Sequence, residues 1–323
     1  MQKRRVLLVL GLSLALAVSA AVSAAEGLTL RLRLTKGQTY RVTTVSEQRI
    51  KQTIFGFEQE MNQTIVIGYR VEVTAVDADG IMTMRFIYDT YRVRKESAGN
   101  VQEYDSARPD ADAPPALQGY AALIGLGFDA KCDTLGRLVE ISGLDEMIDG
   151  WLDRMNLPEG VDRDQLAETM RGQYGDEAMK RSMGMFFCQY PEAPLAVGDE
   201  WTQEMRVNQG IPMAVANTYT LAGRQGGLAT LKVHSIIAPD GEDSAIEMSG
   251  MEIRLALAGE QEGTIELDEA TGLTIRARLT QKVEGEMTLV GTDEVLEGGD
   301  PAQGEGSFSW PMTIEAVTTV EMS

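Results

Sequence analysis

Apolar and polar residues alternate along most of this chain, with one interruption. Leu28, Leu30, Leu32 and Leu34 fall on one side of an extended segment, with Thr29, Arg31, Arg33 and Thr35 on the other. That period of two predicts a half-buried strand. Lys36-Gly37-Gln38 then turns the chain into a strand opened by Tyr40 and Val42. Ile65, Ile67, Tyr69, Val71 and Val73 mark the next apolar face. Asp77-Ala78-Asp79-Gly80 predicts a hairpin, because Asp and Gly tolerate the left-handed backbone a tight turn needs. Met82, Met84, Phe86 and Tyr88 line the returning strand. The polar, Pro-rich stretch 96–115 reads as a loop, followed by a short apolar helix to about Gly125 and a hairpin around Asp133-Thr134-Leu135-Gly136.

The period then changes. Leu144, Ile148, Trp151, Leu152 and Met155 recur at three- and four-residue spacing, which is helical. Asp162 or Asp164 can cap a second helix carrying Leu166 and Met170. Gly175-Asp176 opens a third, bearing Met179, Met183, Phe186 and Phe187. After Pro191 and Pro194 the strands return at Trp201, Tyr219, Leu231, Ile253, Ile265 and Leu273, and a final one runs through Trp310, Met312 and Ile314. Residues 291–306 form a Gly-rich polar loop.

The two strand regions resemble each other in three places, in the same order. Gly37-Gln38-Thr39-Tyr40 parallels Gly198-Asp199-Glu200-Trp201. Val71-x-Val73 with Gly80 to Met84 parallels Tyr219-x-Leu221 with Gly227 to Leu231. Cys132 to Leu138 parallels Leu267 to Leu273. The expected fold is α+β and mostly antiparallel β, with two related β-modules forming a curved sheet, half-barrel or sandwich. A helical segment packs over the apolar side, since such faces cannot stay in water. The expected boundaries are 1–25, 26–143, 144–189 and 190–323.

The N-terminus has its own pattern. Lys3, Arg4 and Arg5 precede an apolar run from Val6 to Val18, then small residues through Ala25. This is the layout of a secretory signal peptide cut after Ala24 or Ala25. An uncleaved anchor is the alternative, since 6–25 is just long enough to span a bilayer. No later segment is apolar enough to form a stable membrane span. The protein is therefore expected in the periplasm or outside the cell.

Charge narrows the options further. The chain has 323 residues, 49 Asp+Glu and 29 Lys+Arg, for a formal net charge of −20. Residues 1–25 hold three of the cations, so a cleaved chain has 26 against 49, or −23. Such a chain is a poor nucleic-acid binder and repels polyanions. One His and two Cys exclude multi-histidine metal sites and zinc-finger sets. No metal or cofactor is called for.

Lys36-Gly37-Gln38-Thr39-Tyr40, the Asp77 to Gly80 hairpin, Pro194 to Trp201 and Gly259-Glu260-Gln261-Glu262-Gly263-Thr264 resemble a family of secreted bacterial proteins of unknown function. That family implies no catalytic or binding residues. The curved sheet with covering helices is similar in outline only to lipoprotein carriers of the LolA and LppX kind.

Few residues suggest chemistry. His234 falls on the strand face opposite Leu231 and Val233 and has no partner motif around it. Asp77-x-Asp79-Gly80 starts like a calcium loop but lacks the remaining ligands. Cys132 and Cys188 can form a disulfide in an exported protein, or stay as two buried thiols. The methionines are the most informative group: six of the 17 lie between Met147 and Met185. Met adapts to irregular apolar partners. Met82, Met84, Phe86, Met147, Trp151, Met155, Met179, Met183 and Phe187 are therefore candidates to line a site for a hydrophobic small molecule, a lipid or a lipidated envelope protein. A plain core between helices and sheet is the competing reading. An envelope interaction module with a solid core is the second functional reading, and an acid-pair hydrolase a remote third.

Overall fold

The structure is a computed structural model. It describes residues 27–108, 113–114, 117–155, 157, 160–176, 179, 189–208, 212–240, 245–248, 251–290 and 307–323. The proposed signal segment lies outside the described residues.

The strands are β1 (Thr39–Ile54), β2 (Phe57–Val76), β3 (Met82–Ser97), β4 (Asn100–Asp105), β5 (Gly127–Cys132), β6 (Leu138–Ser142), β7 (Glu200–Asn208), β8 (Pro212–Gln225), β9 (Leu228–Pro239), β10 (Ala245–Met248), β11 (Met251–Asp268), β12 (Thr274–Val290) and β13 (Ser307–Met322). The helices are α1 (Gln118–Leu123), α2 (Leu144–Arg154) and α3 (Arg163–Tyr174). All strands join one antiparallel sheet, ordered β6-β5-β3-β2-β1-β13-β12-β11-β9-β8-β7, with β4 beside β3 and β10 beside β11. The α+β expectation, mostly antiparallel with a curved sheet, holds.

The order β6-β5-β3-β2-β1 recurs as β12-β11-β9-β8-β7, and β13 joins the two runs by pairing with β1 and β12. Irregularities recur too. A bulge at Val73/Ala75 on β2 matches one at Leu221/Gly223 on β8. Another at Lys131/Cys132 matches one at Glu266/Leu267. Gly37 N–H donates to Val73 O (2.8 Å) as Gly198 N–H donates to Leu221 O (2.8 Å). The segments that resemble each other in sequence thus occupy matching places in the sheet.

Two expectations need correction. Residues 28–35 alternate in burial as expected, with Leu28, Leu30, Leu32 and Leu34 all buried. They do not form a strand; only Leu28 makes a β-bridge, to Leu195. The segment is a strap lying on the apolar face, and alternation cannot separate an extended strap from a sheet member. The stretch 96–115 is not all loop: β3 runs to Ser97, turns at Ala98-Gly99 and returns as β4. Ala98 takes the left-handed conformation (φ +50°) where Asn, Asp or Gly is usual, so Gly99 (φ +78°) is the one typical residue of this two-residue turn.

The strap shows how strongly the sheet curls. Leu32 N–H donates to Thr134 O in the β5–β6 turn (2.7 Å), and Arg33 N–H donates to Thr271 O in the β11–β12 turn (2.8 Å). In a flat sheet β5 and β12 would stand about 24 Å apart, at roughly 4.8 Å per strand. Successive residues cannot span that, so the sheet rolls toward its apolar face until the two turns meet the strap. Leu28 and Leu30 pack with Tyr219, Leu221, Leu231 and Leu267. Leu32 and Leu34 pack with Val71, Val73, Met82 and Met84.

Gly272 sits at this junction with φ +72°, and a Cβ there would collide with the Arg31 carbonyl oxygen. Tyr190 OH donates to the Gly272 carbonyl from the other side. Gly272→Ala is expected to cost about 2–4 kcal/mol, combining left-handed strain with a backbone clash. Gly37→Ala, also left-handed (φ +89°) but with open space around it, is expected to cost about 1 kcal/mol. Urea denaturation of the two variants checks the difference.

Candidate functional site

Cross-strand register assigns each side chain to a face of the sheet. On the face the strap covers, β1 presents Tyr40, Val42, Thr44, Ser46, Gln48, Ile50, Gln52 and Ile54, and β13 presents Phe308 through Met322 at every second residue. Across the described positions of β1, β2, β7, β8, β9, β11, β12 and β13, this face carries a single charged residue. It is Arg224, at the turn end of β8 beyond the bulge, opposite Ala229 in register and paired with Glu269 (2.8 Å). The other charges of these strands lie on the opposite face, where pairs such as Arg49–Glu60 (3.0 Å) and Arg276–Glu266 (2.7 Å) sit in solvent. Exposed pairs of this kind contribute little stability. Their effect is to fix which face meets water.

This face, charge-free apart from Arg224, is not uniformly apolar. Register places Gln203, Asn217, Ser235, Gln261, Gln281, Ala316, Gln48 and Gln63 directly opposite one another on successive strands from β7 to β2. Apart from Ala316, this is an unbroken transverse row of neutral polar side chains. Gln203, Asn217 and Ser235 are buried. Ser235 Oγ donates to Asn217 Oδ1 (2.6 Å), Gln48 Nε2 donates to Ser46 Oγ (3.0 Å), and Gln63 Nε2 donates to Gln48 Oε1. Gln261 lies between Gly259 and Gly263, where a Cβ would collide with the Lys282 and Arg278 carbonyl oxygens respectively. The Gly259-Glu260-Gln261-Glu262-Gly263 motif therefore does two things. It lets β11 approach β12 closely, and it leaves no side chain beside Gln261 along its own strand.

The row divides the face. On the strap side lie the packed clusters described above. On the other side lie Ile237, Ile253, Leu255, Leu257 and Val283, with Met213, Val215, Met287, Leu289, Met312 and Ile314 against them.

The candidate lining residues from sequence fall elsewhere. Met82 and Met84 are buried under Leu32 and Leu34, and Phe86 adjoins them. Phe86 stacks on Phe128 (5.3 Å between ring centres), and Met147 and Met179 pack nearby with Leu144. Met155 belongs to a separate cluster of Ile148, Leu152 and Ala167 between α2 and α3. Trp151 Nε1–H donates to Gly119 O (2.6 Å), tying α2 to α1. Asp162 caps α3, accepting from the amides of Asp164 (3.0 Å) and Gln165 (3.1 Å). Met183, Phe187 and Cys188 lie outside the described residues. The structure thus spreads the described candidates over three packed clusters. It brings together instead Met213, Met287 and Met312, three strand methionines flanking the polar row. Their sequence signal was Met at alternating strand positions, sharing a face with Gln281 and Ile314.

Other chemistry is sparse among the described residues. Cys132 is a free, fully buried thiol. Asp77 Oδ1 accepts from the amides of Asp79 (3.0 Å) and Ile81 (2.8 Å), which makes the turn a capped hairpin. No group of three or more metal-ligating side chains occurs among the described residues. The charged face has two open grooves of about 570 and 680 Å³. His234 lies in the larger with Glu200 and Glu262, which stand three strands apart and two residues out of register, about 16 Å. Glu47 and Glu315 lie diagonally across β1 and β13 in the other groove, exposed and beside Arg49 and Lys282. Neither pair is in the desolvated setting a general acid needs.

Residues 79–274 match the sequence profile described as "Family of unknown function (DUF6263)". The chain belongs to this family. None of the curated proteins matches it. Among solved structures it is similar to "Lipid-protein interactions in lipovitellin", with 6% identity and a TM-score of 0.43 over 90% of this chain and 25% of that one. The chain thus spans about a quarter of that protein's length. Weaker likenesses include Pseudomonas aeruginosa OpdQ (6% identity, TM-score 0.20, 88% and 99% coverage) and Salmonella typhi OmpF in complex with daunomycin (10%, 0.21, 91% and 100%). At these scores none bears on function. Among the described residues no helix is long and apolar enough to cross a membrane.

Two outcomes test the geometry. Ser235→Ala leaves the buried Asn217 Oδ1 without its donor and is expected to cost about 1–3 kcal/mol in urea denaturation. Burial, with Asp133 adding to it, pushes the Cys132 thiol up to about 12 from an ordinary 9.0. The folded state holds this proton more tightly than the unfolded chain. The resulting stability is present below about pH 9 and lost as pH rises from 9 toward 12. In a Cys188→Ser variant, Cys132 is expected to resist Ellman's reagent at pH 8 until urea unfolds the protein.

Proposed function

We propose that this is an exported, non-enzymatic cell-envelope protein that holds an uncharged amphiphilic ligand on the charge-free face of its sheet. The observation that carries this reading is the neutral amide and hydroxyl row crossing an otherwise apolar surface. A core that served only to fill space would gain nothing from seven polar side chains in line, since each buried one must find a partner. A ligand with an apolar body and a neutral hydrogen-bonding group has a place on such a face. The body lies along the Met213, Met287 and Met312 side, and its ester, amide or hydroxyl meets the row. An anionic head group finds no cation there to offset its desolvation. The charged N-terminus followed by an apolar run and small residues supports export. The repeated strand order and bulges support tandem copies of one β-module as the origin of the sheet.

A second reading, an interaction module with a solid core, draws on the packing around Met82, Met84, Leu221 and Leu231, which are at most 2% exposed. It explains the strap side of the face and leaves the polar row without a role.

Native mass spectrometry and solvent extraction of gently purified protein distinguish the two. A bound neutral amphiphile is expected in the wild type. Gln261→Glu, which places a carboxylate in the row, is expected to lower its occupancy about tenfold or more while the fold is retained. Ligand-free wild-type protein, or full occupancy in the variant, would count against the proposal.

A further inference from the structure

One feature at the far end of the sheet is used neither by the core nor by the polar row. The β1–β2 hairpin turns at Phe55-Gly56, and Phe55 takes φ +50°. Asn, Asp or Gly normally occupies that turn position, and a bulky side chain there is strained. Strain in a side chain that filled the core would be unremarkable, but Phe55 is 63% exposed and Phe57 73%. They are the two most exposed of the large hydrophobic residues among the described positions. Residues 52–57 carry no charge at all, in a chain that is 24% charged.

The tip is also connected. Phe55 stacks on Phe308 (4.2 Å between ring centres), and Phe308 stacks on Trp310 (5.5 Å). Trp310 Nε1–H donates to Gln52 Oε1 (3.3 Å), which holds the indole beside the hairpin. Trp310 is register partner to Met287, and Phe308 to Leu289. An unbroken aromatic path thus leads from the exposed tip to the methionine side of the charge-free face.

We infer that the Phe55-Gly56-Phe57 hairpin is a docking tip that enters the interfacial layer of an uncharged or zwitterionic lipid surface. Exposed Phe rings gain by burial at the boundary between head groups and acyl chains, and the Trp310 indole behind them suits the same layer. The uncharged tip can leave water without desolvating an ion. The chain's net charge of −20 sets its preference against anionic surfaces. The inference goes beyond ligand holding: vesicle binding through the tip stands or falls whether or not the face carries a ligand.

The test is flotation of the purified full chain with phosphatidylcholine vesicles, intact mass confirming the same N-terminus in every sample. Quenching of tryptophan fluorescence by brominated phosphatidylcholine is read in parallel. Wild type is expected to float and to be quenched. Phe55→Asn and Phe57→Ser are each expected to reduce flotation at least tenfold. Phe55→Asn should keep or raise the melting temperature, because Asn accepts the left-handed turn that strains Phe. A purely structural role for Phe55 predicts the reverse, a lowered melting temperature with flotation unchanged, and would overturn the proposal. So would wild type that does not float, or variants that float as well as wild type. Light scattering that shows wild-type self-association, abolished by Phe57→Ser without any vesicle effect, would reassign the tip to contact between copies and overturn it too.

Discussion

The structure depends on one constraint: a face with no charge across eight neighbouring strands, apart from Arg224 at its turn end, cannot lie open to water. A flat sheet of this width would expose it, and the covering elements are few. The chain solves this by rolling the sheet onto that face and fastening the roll. The fastening is local and small. Leu32 and Arg33 donate their amides to Thr134 and Thr271, carbonyls that belong to turns far apart in the sheet order. Four leucines of the same strap fill the space beneath. Gly272, with no Cβ, lets the strap pass. The helical segments contribute in a second place, where Leu144 of α2 packs on β5 and β6 and Leu117, just before α1, packs on β3 and β2.

Fastening at the turn end leaves the opposite end of the sheet with a different character. At the turn end, left-handed glycines and side-chain-capped aspartates give short hairpins around Asp77, Asp133 and Asp268. At the other end the side chains are methionines and stacked aromatics, and the polar row separates the two regions. A sheet stabilised only by packing has no need of that division. A face packed by leucines at one end and lined by methionines at the other fits the proposed ligand, apolar along most of its length and neutral where it bonds.

Much of the architecture was legible in the chain, because strands with one wet face write their period directly into it. The alternations at Leu28 to Leu34, Ile65 to Val73 and Ile253 to Leu257 each mark residues that are buried or half-buried on one face. Even the three matching segments sit at equivalent turns and bulges. What alternation could not tell was whether Leu28 to Leu34 had strand neighbours, and it makes a strap instead. The short β4 hid in a polar stretch whose turn residue, Ala98, looks unlike a hairpin residue. The polar row was invisible for a deeper reason. Gln48, Gln63, Gln261 and Gln281 are scattered over more than 230 positions and become a line only through register. Methionines drew attention to the helices, where they cluster in sequence, although the strand methionines cluster in space.

The central claim is that this face is built for a neutral amphiphile. Equilibrium binding of a monoacylglycerol, compared with the fatty-acid anion of the same chain length at pH 8 by displacement of a fluorescent probe, tests it most directly. The account predicts that the neutral ligand binds at least tenfold more tightly, because the polar row and the methionine side beside it offer amides and no cation. Equal affinity, or a preference for the anion, would contradict it.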